Sequence, residues 1–323
     1  MLYIIIFALS FILTYLIKEY AIKKSLLAEV NDRSSHTIPT PHGGGIAIAV
    51  TWFLGLFYLY FSSKIDESLF FALLGGAILS IIGFLDDLYD LSPKIRVFTQ
   101  AFVAVWGLYF LGGLKELDFF IFSVDNSFLT NIFAFFLIVW FINLYNFLDG
   151  INGYAGSEAV FLALSGYILF GDSFFLVLLV SVLGFLLWNF GNAKIFMGDV
   201  GSTLLGYNVA IFTIYYANYN SKNFWIWIIL FSLFWFDATY TIIKRFLNRE
   251  KLSQAHRKHA YQRLTQAGFS HIEVATYSIF INILVLASLY FIKNIALCLV
   301  FDLVLMIVLI KYVNSKKEFD AKR

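Results

Sequence analysis

The chain has 323 residues, of which 60% are hydrophobic, 20% are aromatic and only 14% are charged, and its mean hydropathy is +0.80. Soluble domains have about 45–50% apolar and about 25% charged residues, so this composition excludes a soluble globular protein and requires a lipid bilayer. The net charge of +2 is too small to indicate nucleic-acid binding. Cys298, the single cysteine, can form no disulfide within the chain.

Eleven apolar runs have about the length that a membrane-spanning helix requires. The first run has no basic stretch before it and no small-residue cleavage site, so we expect a retained membrane segment and not a signal peptide. The sixth run is short and ends at Gly171-Asp172, which leaves a ten-span interpretation open. The predicted spans are residues 2–17, 43–62, 69–85, 97–113, 128–145, 158–170, 174–190, 203–219, 224–243, 274–292 and 295–311.

The distribution of basic residues supports eleven spans. With this count, nineteen Lys and Arg residues fall on one side of the membrane and four on the other. Basic loops face the cytoplasm, so the N-terminus should lie outside and the C-terminus in the cytoplasm. All five histidines and all three prolines also fall on the predicted inner side. We therefore expect one all-α membrane helix bundle over residues 1–323, with a shared site formed by five inner loops.

The first inner loop ends in Pro-Thr-Pro-His-Gly-Gly-Gly at residues 39–45. Glycine lets the backbone approach a ligand or another backbone closely. The pattern fits either a substrate-binding turn or a tight helix entry packed against a neighbour.

The second inner loop carries Asp86, Asp87 and Asp90 directly after an apolar run. If the preceding helix continues through them, the carboxylates share a face, and their repulsion indicates a bound cation or a protonated group. A solvated acidic loop is the alternative, although unpaired charge at the membrane boundary is costly. Lys94 and Arg96 follow and could bind phosphate by charge.

The third inner loop follows a span whose end carries polar residues every three positions, at Asn143, Asn146 and Asp149. Carboxamides can recognise a nucleobase or ribose by hydrogen bonding, and Asp149 adds a carboxylate. A polar helix end that satisfies its own hydrogen bonds is the alternative, which fits Asn143 better than Asp149.

The fourth inner loop places Asp199 between Gly198 and Gly201, just before an apolar span. Oxygen-rich sites with few carboxylates suit Mg²⁺, which keeps several waters and bridges substrate phosphates. No Cys/His cluster in the sequence indicates zinc instead. The Gly-Asp-x-Gly pattern is a weak signal alone and becomes informative beside the other loops.

The fifth inner loop is the most basic and contains His256 and His259. Their spacing would place both histidines on one face if the stretch is helical, and such a cluster can bind pyrophosphate. An anchor for the membrane surface is the alternative, and it accounts for Lys244, Arg245 and Arg249.

Two further carboxylates lie inside predicted spans. Asp237 is near the inner end of its span, where it is either functional or the partner of a basic residue. The sequence offers no explanation for Asp302 in the last span.

The five loops together, in this order, resemble the polyprenyl-phosphate N-acetylhexosamine-1-phosphate transferase family, also called glycosyltransferase family 4. The resemblance covers nearly the whole chain and rests on residues 39–45, Asp86-Asp87, 146–153 and 196–199 and on the histidines of the fifth loop. It implies transfer of a sugar phosphate from a UDP-sugar to undecaprenyl phosphate, with release of UMP, in the bacterial inner membrane. It also implies Mg²⁺ as cofactor, with Mn²⁺ as the alternative cation.

The resemblance implies roles for particular residues. Asp199 and Asp87 would bind the metal, and the Asp86-Asp87 pair would position the lipid phosphate. A phosphate monoester has a second pKa of about 6, so we expect positioning or metal binding at this pair rather than proton abstraction. The catalytic candidates are Asp86, Asp87, Asp149, Asp199, His256 and His259. The substrate-binding candidates are Lys94, Asn146, Asn152, Phe196 and Arg257.

Departures from the family pattern bear on the donor. Asn152 stands where many members have a second aspartate, and the fifth loop reads His-Arg-Lys-His-Ala-Tyr-Gln-Arg from His256 rather than the triple-histidine form of the muramoyl-pentapeptide transferase. This motif resembles that of family members that initiate the synthesis of O-antigen or capsular glycans. The phospho-N-acetylmuramoyl-pentapeptide transferase reaction remains an alternative.

Two other classes can be weighed against a sugar-phosphate transferase. A multispan transporter would place charged residues near the bilayer midplane, whereas the polar residues here crowd one rim. A CDP-alcohol phosphatidyltransferase would carry Asp-Gly-x-x-Ala-Arg, but Ile-Asn-Gly follows Asp149-Gly150. The donor sugar, the prenyl chain length and the choice between a monomer and a homodimer stay open.

Overall fold

The computed structural model describes residues 1–24, 27–28, 39–252, 254 and 256–319. Helices cover all eleven predicted spans, which confirms the all-α fold class for these residues. Two short antiparallel strand pairs lie in loops, β1 (Leu27–Ala28) with β2 (Thr40–Pro41) and β3 (Leu117–Asp118) with β4 (Ser123–Val124). The helices are α1 (Leu2–Lys23), α2 (Gly45–Phe61), α3 (Glu67–Leu73), α4 (Gly75–Tyr89), α5 (Pro93–Leu111), α6 (Ser127–Phe147), α7 (Tyr154–Phe170), α8 (Ser173–Asn189), α9 (Asp199–Tyr219), α10 (Lys222–Leu230), α11 (Ser232–Leu247), α12 (Ala260–Gln266), α13 (His271–Phe291) and α14 (Ile295–Lys316).

Length and composition make the described chain a multi-pass membrane protein. Five helical segments are long and apolar enough to cross a membrane, and α10 with α11 would form a sixth despite a 76° bend between them. α2, α7 and α8 are apolar but shorter, at 17 residues each. Gly171, in the left-handed conformation, separates α7 from α8, so the sixth and seventh predicted spans are two helices. The eleven crossings and their orientation stay predictions.

The loops collect at two ends of the bundle. At one end, Tyr219 at the end of α9 lies 3.5 Å from Asp66 before α3, and Asn218 accepts a hydrogen bond from the backbone of Lys115. All of these residues belong to loops or helix ends predicted to lie outside. The five predicted inner loops meet at the opposite end, around the first turn of α9. The loops that the sequence predicts on one side of the membrane therefore lie at one end of the bundle.

α9 is the central helix, with 16 of its 21 residues buried. Its neighbours approach so closely that side chains would not fit between the backbones. A Cβ on Gly45 of α2 would lie 2.3 Å from the backbone nitrogen of Gly201, and a Cβ on Gly83 of α4 would lie 2.8 Å from the carbonyl carbon of Asp199. Glycine is the residue that permits such an approach, so α2 and α4 together hold the first turn of α9 in place.

Two carboxyl groups within the bundle have partners on other helices. Glu158 of α7 accepts a hydrogen bond of 2.7 Å from Asn282 of α13. Asp302 of α14, which the sequence left unexplained, accepts a hydrogen bond of 2.7 Å from Ser232, the first residue after the bend between α10 and α11. A buried polar group without a hydrogen bond is costly, so each pair ties two helices together.

Replacing Gly45 tests the contact between α2 and α9. Gly45→Ala puts a methyl group within 2.3 Å of backbone that cannot move aside, so we expect a loss of stability of about 1–3 kcal/mol. Thermal unfolding in detergent micelles measures the effect. Val50→Ile adds one methyl group at an exposed position of the same helix and should leave the unfolding temperature unchanged. Equal unfolding temperatures for both variants would contradict the close contact.

Candidate active site

The paired aspartates occupy the last turn of α4. Asp86 pairs with Arg96 of α5 at 3.2 Å, while Asp87 turns toward the first loop. Asp90 ends the helix in the left-handed conformation and is exposed, so the expected face shared by three carboxylates does not include it. Arg96 also lines a cavity beside the carboxylates, whereas Lys94 is exposed and is not part of that lining. Phosphate binding by Lys94 therefore stays a prediction without a supporting contact.

Asp87 joins the first, second and fourth loops. Its Oδ2 atom lies 3.8 Å from Nδ1 of His42, and this contact raises the pKa of His42 above its usual value. A Cβ on Gly198 would lie 2.7 Å from the same oxygen, so only glycine leaves room for the carboxylate there. This buried oxygen has no hydrogen-bond partner among the described residues. His42 has no role among the sequence-based predictions, although it lies in the Gly-rich motif of the first loop.

Asp199 is the first residue of α9 and is held by the third loop. Asn146 at the end of α6 donates hydrogen bonds to Asp199 Oδ1 at 2.8 Å and to Ser202 Oγ at 2.9 Å. The helix dipole stabilises a carboxylate in the first turn. Asn146 thus contacts the metal candidate directly, and its predicted place on the nucleotide side stays a prediction. Ser202 was missed because nothing local marks it.

Three carboxylates act on one another electrostatically at this position. Burial, and then the negative charges of Asp199 and Asp87, raise the pKa of Asp149 to about 7. Carboxylates that raise one another's pKa are stabilised in the ionised form by a cation. The same constellation therefore provides the charge that a divalent metal ion would neutralise.

The donor set fits a magnesium ion that is bound mainly by oxygen from substrate and water. The described residues contain no group of three or more His, Cys, Asp or Glu side chains arranged to hold a metal. Asp87 and Asp199, with the unpartnered Oδ2 of Asp87, provide two carboxylates. Mg²⁺ is commonly held by one or two carboxylates together with substrate phosphates and waters.

A cavity of about 200 Å³ opens beside the carboxylates between α4, α5, α6 and α9. Asp86, Asp199 and Asn146 lie on its wall, together with two further carboxamides, Gln100 and Asn143. These two bond each other, with 2.7 Å from Asn143 Nδ2 to Gln100 Oε1. Asn143 is marked in the sequence by its spacing to Asn146 and Asp149, whereas Gln100 is a single glutamine in an apolar span and belongs to no motif.

The fifth loop is irregular where a helix was considered. α11 ends at Leu247 and α12 begins at Ala260, with His259 as its N-terminal cap, so the conditional expectation of one helical face does not hold. The rings of His256 and His259 nevertheless lie 4.9 Å apart. Burial, followed by repulsion from nearby cationic groups, lowers the pKa of His256 to about 3, so its imidazole is neutral at physiological pH.

The fifth loop packs on the end of α6. Tyr261 Oη donates a hydrogen bond of 3.0 Å to the carbonyl of Phe147, and a Cβ on Gly150 would lie 2.0 Å from that hydroxyl. His259 is buried, with Nδ1 3.6 Å from Asp237. Arg257 has a buried Nε without a hydrogen-bond partner among the described residues, which suits an anionic ligand.

Two predicted substrate-binding residues connect loops in this structure. Asn152 Nδ2 donates to the carbonyl of Gly191 at 2.8 Å, so its carboxamide joins the third and fourth loops. The backbone of Phe196 donates to Pro41 at 2.8 Å and accepts from Gly44 at 2.9 Å, which joins the fourth loop to the first. Direct substrate contacts by Asn152 and Phe196 stay predictions.

Two other expectations about the inner loops can be compared with the structure. Arg245, interpreted as a membrane-surface anchor, is 3% exposed and hydrogen-bonded within the fifth loop, so that interpretation is wrong for it. Arg249 is exposed and remains compatible with an anchor. His36, which was assigned to the inner side, lies outside the described residues.

Comparison with known proteins shows which protein family this chain resembles in sequence. The family model for glycosyl transferase family 4 matches residues 69–217. A protein of Bacillus subtilis (strain 168), described as a probable undecaprenyl-phosphate N-acetylglucosaminyl 1-phosphate transferase, is 35% identical over 280 residues, which cover 80% of this chain and 75% of that protein. An undecaprenyl-phosphate alpha-N-acetylglucosaminyl 1-phosphate transferase of Thermotoga maritima is 32% identical over 201 residues, covering 61% of this chain and 60% of that protein. A phospho-N-acetylmuramoyl-pentapeptide-transferase of Streptococcus pneumoniae (strain 70585) is 34% identical over 189 residues, covering 52% of this chain and 56% of that protein.

The pKa of His256 predicts how stability depends on pH. The folded-state pKa of about 3 lies below the unfolded value of about 6.5, so the unfolded chain takes up a proton here first as the pH falls. The contribution is complete above pH 6.5 and is lost progressively below it. Lowering the pH from 7.5 to 5.0 should therefore lower the unfolding temperature less in His256→Gln than in the wild type. Equal pH effects in the variant and the wild type would refute the assignment.

Proposed function

Because this chain belongs to glycosyl transferase family 4, the polyprenyl-phosphate hexosamine-1-phosphate transferases, we propose that it transfers an N-acetylhexosamine 1-phosphate, or a related amino-sugar phosphate, from a UDP-sugar to undecaprenyl phosphate. The products are an undecaprenyl-diphosphate-sugar and UMP. One observation carries the proposal, the meeting of carboxylates, a carboxamide and cationic side chains of four loops around the first turn of α9, with the fifth loop packed beside them on the end of α6. These groups are the ones that phosphoryl transfer requires.

The acceptor is an oxygen of the lipid phosphate, and it attacks the β-phosphorus of the UDP-sugar. A new P–O bond forms to the acceptor while the bond between the β-phosphorus and the bridging oxygen breaks, and UMP takes the electron pair. A phosphate monoester is largely dianionic at neutral pH, so the reaction needs no general base. Asp86 and Asp87 therefore act by positioning or by binding the metal, and the pairing of Asp86 with Arg96 supports a role for Asp86 beside the cavity that would receive the lipid phosphate.

Asp199 and Asp87 would hold Mg²⁺, or Mn²⁺ in its place. When bound, the cation neutralises charge that develops on the phosphate oxygens. Asn146 holds the carboxylate of Asp199 toward the centre of the site through its 2.8 Å hydrogen bond. Asp149 lies in a buried position where its charge is felt by the others, which fits a role on the nucleotide side.

The fifth loop would bind the diphosphate of the donor. Arg257 has an unpartnered buried nitrogen among the described residues, and a guanidinium is suited to bidentate binding of phosphate oxygens. His256 is neutral at physiological pH, so it would contribute hydrogen bonds and not charge. His259 lies between Asp237 and the end of α6, where it would face the sugar or the pyrophosphate.

An N-acetylhexosamine donor is favoured over the muramoyl pentapeptide. The alignment with the probable N-acetylglucosaminyl transferase of Bacillus subtilis covers 80% of this chain, whereas alignments with two pentapeptide transferases cover 52% and 64%. The fifth loop also lacks three consecutive histidines. We place the product at the start of a lipid-linked surface glycan such as an O-antigen.

The reaction is tested by UMP release from purified protein in detergent. Undecaprenyl phosphate, Mg²⁺ and a panel of UDP-N-acetylhexosamines should give UMP only when lipid and metal are both present. Asp199→Asn should reduce the rate at least about 100-fold, because it removes charge from the centre of the site. Asp90→Asn, an exposed aspartate of the second loop, is the matched control and should retain wild-type activity. Near-normal turnover in Asp199→Asn would rule out the metal assignment.

We also propose that the site lies on the cytoplasmic side of the bacterial inner membrane, with the N-terminus outside. Nineteen basic residues on the side of the site support this orientation. With the single cysteine Cys298 replaced by serine, Lys64→Cys and Lys194→Cys introduce exposed thiols at opposite ends of the bundle. A membrane-impermeant maleimide should label Lys64→Cys in intact spheroplasts and Lys194→Cys only after permeabilisation. The reverse pattern would invert the orientation.

A further inference from the structure

One face of α11 is polar although the helix lies within the bundle. Asp237, Thr241 and Arg245 recur at intervals of four residues, and they are 4%, 0% and 3% exposed. Residues four apart lie above one another on the same side of a helix. The three side chains thus form a continuous polar stripe, and it faces the fifth loop.

The stripe begins with Asp237, which is hydrogen-bonded to the first residue of α12. Both of its carboxylate oxygens accept a hydrogen bond from the backbone nitrogen of Ala260, at 2.8 and 2.9 Å. Thr241 donates to Oδ1 at 3.1 Å and so orients the carboxylate. The same Oδ1 atom lies 3.6 Å from Nδ1 of His259, which leaves the Nε2 edge of the imidazole directed away from α11.

The stripe ends with Arg245, which is hydrogen-bonded to the backbone at the beginning of the loop. Its guanidinium donates to the carbonyls of Lys251 at 2.7 Å, Gln254 at 3.0 Å and Leu252 at 3.3 Å. Its Nε atom also pairs with Glu250 at 3.3 Å.

Glu250 connects Arg245 to a residue further along the loop, Lys258. The carboxylate that pairs with Arg245 also binds Lys258, at 2.6 Å. The backbone and side chains on both sides of the two histidines are therefore tied to a single helix. The described part of the loop between Asn248 and His259 contains no helix or strand that would fix its shape by itself.

We propose that the stripe Asp237–Thr241–Arg245 is a positioning device for the donor-binding loop. Asp237 positions His259, and Arg245 positions the backbone that carries His256 and Arg257. The inference rests on the proposed function for its consequence, which is binding of the UDP-sugar, but the attachment of the loop can be measured without any turnover.

The test compares two arginine-to-lysine changes in one segment. Arg245→Lys keeps the charge and the tryptic site but cannot reproduce the planar set of donors. Arg249→Lys makes the same change at an exposed residue of the same segment. We expect Arg245→Lys to raise the KM for the UDP-sugar by about 10- to 100-fold, because small misplacements of binding groups have effects of this size. The KM in Arg249→Lys should match the wild type.

A second readout separates positioning from a general loss of structure. Trypsin should cut after Lys251, Arg257 or Lys258 at least about tenfold faster in Arg245→Lys than in Arg249→Lys or the wild type, with unfolding temperatures of all three proteins within a few degrees. Asp237→Asn should raise the KM in the same way, since its amide group has one acceptor oxygen for the backbone of Ala260 in place of two and places no negative charge beside His259. The proposal would be overturned if Arg245→Lys left both the cleavage rate and the KM unchanged. It would also be overturned if the unfolding temperature of Arg245→Lys fell so far that global unfolding accounted for the faster cleavage. If the wild type releases no UMP, the cleavage rates alone still decide whether the stripe holds the loop.

Discussion

The close approach of α2, α4 and α9 at their glycines determines where the catalytic candidates lie. Gly45 and Gly83 bring two backbones against the first turn of α9, so Asp199 has no freedom to move away from the last turn of α4. The Asp86-Asp87 pair of α4 and Asn146 of α6 then reach the same small volume as Asp199 of α9, so three helices contribute to it. A site built on contacts between backbones holds its carboxylates at fixed distances, which the binding of a cation between phosphates requires.

Charge in this site is balanced both within the second loop and between the first and second loops. Asp86 has Arg96 and Asp87 has His42, while the remaining negative charge is concentrated near Asp149 and Asp199. Unpaired charge at the edge of a bilayer is costly, so the excess is maintained for binding cations and substrate. Elsewhere in the bundle, carboxyl groups such as Glu158 accept hydrogen bonds from neutral side chains of neighbouring helices.

The sequence alone predicted the helices and the loops of the site because both leave local signals. Long apolar runs mark the helices, and Asp87, Asn146 and Asp199 stand out as polar residues at the ends of such runs. The burial of Arg245 left no local signal, because its partners are backbone carbonyls that any sequence would supply. The same holds for Gln100, whose partner Asn143 lies on another helix. Counting basic residues predicts on which side of the membrane a loop lies, but it does not show which basic side chain is buried in the protein.

The two halves of the site are held by different kinds of contact, and this difference bears on specificity. Backbone packing fixes the carboxylates, whereas side chains of a single helix face hold the fifth loop. Substitutions in the fifth loop can therefore change the shape of that loop without moving Asp87 and Asp199. Members of one family can therefore share the phosphoryl-transfer chemistry and differ in donor, and the run from His256 that replaces three consecutive histidines lies in that adaptable half. Discrimination between UDP-sugars is thus expected to depend on the contacts between α11 and the loop more than on the aspartates.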